Sequence, residues 1–279
     1  MEIVRRCSML DKEVLPFLTW AGGKRWLVKS YPEVFPSNFN RYIEPFLGSG
    51  SVFFHLKPQK AILSDINKDL IDTYMALKMD WQKVYKHLKI HQRKHSPEYY
   101  YKIRNYNPRK IETKAARFLY LNRTCFNGIY RVNKQGKFNV PLGSKQNVIL
   151  STDDFEEISN RLKHVSILNH DYEVVINMAN KDDFIFVDPP YTVNHNDNGF
   201  IQYNEKLFSW ADQIRLCEAL VRARDRGAKI IMTNANHESV RNLYKEYCFE
   251  FKIVSRFSGI SSKAKGRKKY EEIIVKSNF

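Results

Sequence analysis

The chain has 279 residues, 46 Lys and Arg against 30 Asp and Glu, a formal net charge of +16 and 43% hydrophobic side chains. That suffices for a buried core in one large domain or two modest ones, and the positive excess points to a polyanionic partner. No run approaches the ~18 apolar residues of a membrane span. Met1-Glu2-Ile3-Val4-Arg5-Arg6 lacks the apolar centre of a signal peptide. Four scattered cysteines without a CxxC pair indicate neither a zinc site nor a disulfide framework, and a reducing cytoplasm is the expected setting.

In chain order, Phe17-Leu18-Thr19-Trp20-Ala21-Gly22-Gly23-Lys24 reads as a glycine turn ahead of a helix. It is not a P-loop, because Arg25 follows Lys24 and the upstream glycine is missing. Lys24 suits a ligand carboxylate, and Trp20 offers an aromatic face to a cation or a base. Residues about 41–65 read as strand, turn, helix, strand: Arg41 to Glu44, the turn Pro45-Phe46-Leu47-Gly48-Ser49-Gly50, a short helix Ser51 to Leu56, then Ala61 to Ser64, ending at Asp65. This is the opening of a nucleotide-binding α/β unit. Gly48 and Gly50 admit a ligand close to the backbone, and an acid placed like Asp65 binds ribose hydroxyls or simply caps its strand. Phe53 stands where a full GxGxxG needs its third glycine. That favours a nucleoside ligand without a pyrophosphate, such as S-adenosylmethionine.

Residues 67–125 change character. Asp69 to Lys78, Trp81 to Arg93, Pro97 to Arg104 and Glu112 to Leu121 carry helical spacing. Ile129-Tyr130-Arg131-Val132, a turn at 133–136 and Lys137-Phe138-Asn139-Val140 read as a β-hairpin. From Lys86 to Lys137 there are 14 Lys and Arg but two acids, Glu98 and Glu112. A merely solvated face mixes signs, whereas such a block releases counterions on binding nucleic acid. A second basic cluster contains Lys263, Lys265, Arg267, Lys268 and Lys269.

After residue 150 strands and helices alternate again. A helix near 153–162 precedes the strand Val165 to Leu168, and the strand Phe184-Ile185-Phe186-Val187 follows. A long helix, about 209–226, leads to the strand Lys229 to Met232; a helix from His237 to Tyr247 and two strands complete the pattern. The alternation predicts a largely parallel α/β sheet, interrupted by the helical segment.

Asp188-Pro189-Pro190-Tyr191 leaves the strand Phe184 to Val187. The prolines stiffen the turn and push the residue before them toward extended geometry. A carboxylate, a fixed carbonyl and a ring together fit a flat amine such as a nucleobase. An ordinary Asp-Pro-Pro turn with a packed tyrosine is the plainer reading, and the tetrapeptide by itself does not separate adenine N6 from cytosine N4.

Six motifs occur in order: Trp20 to Lys24, Glu44 to Gly50, Ser64-Asp65-Ile66-Asn67, Asn122-Arg123 with Phe126-Asn127-Gly128, Phe138-Asn139-Val140-Pro141, and Asp188 to Tyr191. With them the chain resembles the Dam-type DNA adenine-N6 methyltransferases over nearly its whole length. The resemblance implies a Rossmann-like S-adenosylmethionine-dependent methyltransferase sheet over 1–66 and 148–279, with an inserted helical target-recognition domain, carrying the β-hairpin, over 67–147. It implies S-adenosylmethionine contacts from Trp20, Lys24, Glu44, Phe46, Gly48, Gly50, Asp65, Ile66, Asp171, Tyr172 and Asp188, and catalysis by Asp188, Pro189 and Tyr191 on an adenine flipped out of duplex DNA. DNA contacts are expected from Arg123, Phe126, Asn127, Ile129, Arg131, Pro141, Lys263 and Arg267. No metal and no membrane partner is expected, and the setting is a monomer in the cytoplasm of a bacterial or phage-infected cell.

Two positions depart from the pattern of GATC-specific members. Thr19 stands where many carry a lysine before the tryptophan, and Leu142-Gly143-Ser144 where they often carry an arginine. Arg and Lys are the usual readers of guanine, so the usual contact to the outer guanine is not expected here, and the site is expected to be GATC or a related one. The alternatives are methylation of RNA or of a protein glutamine, or a non-catalytic DNA-binding regulator.

Overall fold

The structure is a computed structural model that describes residues 14–133, 135–191, 208–257 and 269–279. Its backbone forms two compact units. One draws on Met1–Val28, Gly48–Lys57 and Asp69–His164, the other on Lys29–Leu47, Pro58–Lys68 and Val165–Phe279.

The second unit is built on a seven-stranded sheet. Its strands are β1 (Tyr42–Glu44), β2 (Ala61–Ser64), β3 (Val165–Leu168), β4 (Phe184–Val187), β5 (Lys229–Ala235), β6 (Glu250–Phe257) and β7 (Lys269–Ser277), in the spatial order β3-β2-β1-β4-β5-β7-β6. The first five run parallel, whereas β7 is antiparallel to both β5 and β6. Every residue of β1, β2 and β4 is buried, as expected of parallel strands, which carry continuous apolar runs. Ile62, Ile43, Ile185 and Ile230 fall on one register line across four strands.

The helix Trp210–Asp225 places Leu216, Cys217, Leu220 and Ala223 in the same apolar cluster as Ile43, Ile185 and Ile230. Its start follows from sequence. Ser209 accepts from the Asp212 N–H while the Asp212 side chain accepts from the Ser209 N–H, a reciprocal capping box.

The first unit is helical among its described residues. Here α1 is Arg25–Ser30, α2 Ser51–Leu56, α3 Lys68–Lys94, α4 Pro97–Asn105, α5 Ile111–Thr124 and α6 Phe155–Leu162; Arg25–Val28 and Asp69–Lys94 are the parts of α1 and α3 in this unit. The expected break between helices at residues 78–81 is a kink at Asp80 (φ −160°, ψ 77°), whose carboxylate accepts from the Lys83 N–H. Phe17 meets the rings of Phe54 and Tyr74 at 6.2 and 4.9 Å. The expected hairpin is shorter than a full ladder. Among the described residues the reversal holds one bridge, Val132 to Phe138, closed by the Asn133 N–H donating to Lys137 O at 2.9 Å. Arg131, Asn133, Lys137 and Asn139 are exposed, whereas Tyr130, Val132 and Phe138 are half-buried and Val140 is buried.

Candidate active site

The strand order reverses direction between β1 and β4, and such a switch point opens a crevice at the carboxyl ends of the strands. Glu44 ends β1, and the loops leaving β1, β2 and β4 carry Phe46, Asp65 and Ile66, and Asp188 to Tyr191, all in the second unit.

At the end of β1, Glu44 is buried and accepts from the Tyr42 hydroxyl at 2.9 Å. Burial, reinforced by Glu44, pushes the Tyr42 phenol well above its ordinary range. Phe46 stacks on Tyr172 (5.2 Å, 23°), and Phe208 meets both rings. Tyr172 opens the helix α7 (Tyr172–Ile176), and the Arg215 guanidinium lies over its ring at 4.3 Å. Asp171 caps that helix, accepting from the Glu173 N–H, and takes a two-pronged hydrogen bond from Arg215 at 2.8 and 3.0 Å. Those bonds, with further ones that Arg215 donates to Glu173 and Asp212, raise the Arg215 pKa further still.

After β2, the Asp65 carboxylate accepts from the Asn67 N–H at 2.9 Å, the capping role that its position allows. Asn169 donates to the carbonyls of Asp65 and Ile66. The Ile66 side chain is 74% exposed, the highest value among large apolar residues described. At the end of β4, the Thr233 hydroxyl donates to Asp188 Oδ1 at 2.8 Å, and the Tyr191 hydroxyl donates to Glu272 Oε2 at 2.7 Å.

The first unit holds the other glycine-bearing turns. Gly23 N–H donates to Trp20 O at 3.1 Å, and Lys24, only 4% exposed, donates from Nζ to Gly22 O at 2.8 Å. The Trp20 indole stacks with Phe118 at 6.3 Å and with Tyr130 at 5.8 Å. Its edge meets Gly48, where φ is +48° and a Cβ would come within 2.7 Å of Trp20 Cδ1. Gly50, also left-handed, precedes α2. Glycine at 48 is therefore required twice, by conformation and by the indole.

Phe126, Asn127, Arg131 and Pro141 are exposed and Ile129 is half-buried. Phe126 N–H donates to Pro141 O, and Arg131 to the Asn139 side chain. Thr19 is gripped rather than extended: Asn122 accepts from its N–H and donates to its carbonyl and to that of Gly128. Gly128 has φ +65° and lies against the Thr19 methyl, where a Cβ would approach to 2.6 Å.

Arg123 corrects an expectation. Instead of facing DNA it is 3% exposed, bonded to Asp153 at 2.6 and 2.7 Å and to the carbonyls of Val148 and Phe17. An arginine so enclosed ties chain segments together, and no donor is turned outward by these bonds. Lys263 and Arg267 lie outside the described residues. Sequence reasoning missed Thr233, Glu272 and Arg215. Thr233 ends the apolar run Ile230–Met232 of β5 and Glu272 precedes the run Ile273–Val275 of β7, so each stands next to polar neighbours and neither is singled out by pattern.

Among the described residues no helix is long and apolar enough to cross a membrane, and no group of three or more His, Cys, Asp or Glu side chains is placed to hold a metal. A parallel sheet with an antiparallel β7 and an Asp-Pro-Pro-Tyr loop at its switch point defines a Rossmann-like methyltransferase.

Residues 20–260 match the family described as D12 class N6 adenine-specific DNA methyltransferase, and the chain belongs to that family. It is 34% identical over 270 residues to the type II methyltransferase M1.LlaDCHI of Lactococcus lactis subsp. cremoris, covering 93% of this chain and 94% of that one. To the type II methyltransferase M.MjaIII of Methanocaldococcus jannaschii it is 35% identical over 289 residues, with 94% and 99% covered. To the DNA adenine methylase of Haemophilus influenzae it is 31% identical over 266 residues, with 93% and 92% covered. The chain is thus a DNA adenine-N6 methyltransferase.

Proposed function

We propose that this methyltransferase draws its methyl group from S-adenosylmethionine and acts on an adenine flipped from duplex DNA, in GATC or a related site. The observation that carries the catalytic assignment is the Asp188 carboxyl, which leaves β4 at the switch point and is fixed by Thr233. The residues fit such a donor piece by piece. Lys24 is a buried ammonium beside a glycine turn, Gly48 and Gly50 keep the backbone bare, and Asp65 stands beside the exposed apolar Ile66. Glu44, Phe46, Asp171, Tyr172 and Trp20 complete the proposed binding set. When bound, this cofactor supplies an electrophilic methyl group.

The chain's own residues prepare the amine. Its lone pair is delocalised into the adenine ring, so N6 is a weak nucleophile. Asp188 and the Pro189 carbonyl accept its two hydrogens, which favours a pyramidal nitrogen, while Tyr191 stacks on the base. The gain is orientation and electrostatics. The surplus proton passes to Asp188 or to water.

Residues 67–147 are the proposed target-recognition segment. Their positive block carries the phosphate contacts, and Phe126, Asn127, Ile129, Arg131 and Pro141 are assigned to base flipping and base-edge contacts. Thr19, held by Asn122, and Ser144 replace the lysine and arginine of GATC readers, so the outer guanine is read differently or not at all. In the test, labelled S-adenosylmethionine is incubated with duplex DNA, RNA and protein. Label enters duplex DNA, and Asp188→Ala abolishes this while retaining DNA binding; a fully active Asp188→Ala variant refutes the mechanism.

A further inference from the structure

Three acids are buried among the described residues of the second unit: Glu44, Asp183 and Glu272. Glu44 accepts from Tyr42 of its own strand, and Asp183 from Arg41. Glu272 differs, because its partner at 2.7 Å is the hydroxyl of Tyr191, in the loop that follows β4. It lies opposite Ala235 in the β5–β7 register, two residues beyond Thr233, which itself holds Asp188.

A carboxyl only 2% exposed is costly to place in a strand that continues Ile273-Ile274-Val275. An apolar side chain there avoids the desolvation cost and fills the same space. What the acid adds is an acceptor at the far end of the Tyr191 ring. Tyr191 follows two prolines and lies outside the strand ladder, so its backbone anchors one end of the side chain only. A hydrogen bond at the hydroxyl anchors the other and sets the direction in which the ring's face points.

We propose that Glu272 is a positioning residue for methyl transfer: it holds the Tyr191 ring at the angle at which the flipped base stacks. This rests on the reading that Tyr191 receives the base. A ring free to rock loses near-attack orientation without losing DNA affinity. Glu272 thus acts on the rate of transfer rather than on binding, through its hydrogen bond with the Tyr191 hydroxyl.

The test is a double-mutant cycle on single-turnover methylation of unmethylated duplex DNA, with DNA affinity measured in parallel. Glu272→Leu and Tyr191→Phe each slow transfer roughly tenfold, equivalent to about 1.4 kcal/mol, with DNA affinity unchanged. Glu272→Gln, which keeps an acceptor, stays within about threefold of the parent. In the Tyr191→Phe background Glu272→Leu has little further effect, the signature of a shared interaction. Equal losses in both backgrounds, or loss of DNA affinity in place of rate, overturn the proposal. Tyr191→Phe alters only the hydroxyl and decides the matter where the Leu variant does not fold: transfer at the parent rate means that the tether is idle. Asp188→Ala runs alongside. If it is inactive while the cycle is additive, the positioning role alone fails; if it is active, the underlying catalytic assignment fails.

Discussion

Arg123→Met tests whether a basic residue of the helical segment serves the fold or the DNA. The guanidinium is 3% exposed and Asp153 5%, and they meet through two bonds of 2.6 and 2.7 Å. Two more bonds run to Val148 O at 2.7 Å and Phe17 O at 2.8 Å. Removing the cation leaves two carbonyls short of a donor and Asp153 with the Leu150 N–H at 2.9 Å as a remaining partner. Breaking a buried pair on one side costs about 3–5 kcal/mol. For a chain of this size that corresponds to a fall of roughly 6–20 °C in Tm. Adding Asp153→Leu removes the stranded charge and restores a large part of the loss. The assay pairs thermal unfolding with DNA affinity over a salt series. A lost phosphate contact lowers the salt slope by about one, so the expected result is a large drop in Tm with the slope unchanged. A variant with parental Tm and a slope reduced by one places Arg123 on the DNA and refutes this account.

Gly48→Ala forces a left-handed Ala and sets a methyl 2.7 Å from the Trp20 indole; it costs about 1–3 kcal/mol of stability and weakens S-adenosylmethionine binding in calorimetry, and unchanged values of both disprove the cradle. His91 governs part of the acid response. Burial, with smaller contributions from His87 and Arg117, lowers its pKa from 6.5 to about 4, and its Nδ1 pairs with the Tyr99 hydroxyl. The folded state therefore binds this proton less readily than the unfolded chain does. The stability it protects is complete above pH ~6.5 and is lost as pH falls toward 4, on the order of 1–3 kcal/mol. Denaturation of His91→Phe shows a flatter decline across that window; an identical decline removes His91 from the explanation.

Much of the frame was legible because short-range rules govern it. Apolar runs ending in Asp65 and Asp188 are buried parallel strands, a form that periodicity announces. The Ser209 cap and the Asp80 break are written in residues that satisfy helix ends locally. The order of motifs, with the tetrapeptide after β4, sufficed to indicate adenine methylation.

Tertiary structure decided which polar residues face one another. Arg123 reads as one more cation in a basic block, and only its enclosure by Asp153, Val148 and Phe17 makes it a structural tie. Thr233 and Glu272 are 45 and 81 residues from Asp188 and Tyr191 and meet them because strand order sets β5 beside β4 and β7 beside β5. The sequence by itself determined the chemistry, since a carboxyl, a rigid carbonyl and a ring are local properties of four consecutive residues. Orientation is not local: it depends on hydrogen bonds between strands distant in the chain, and those exist only once the sheet has formed.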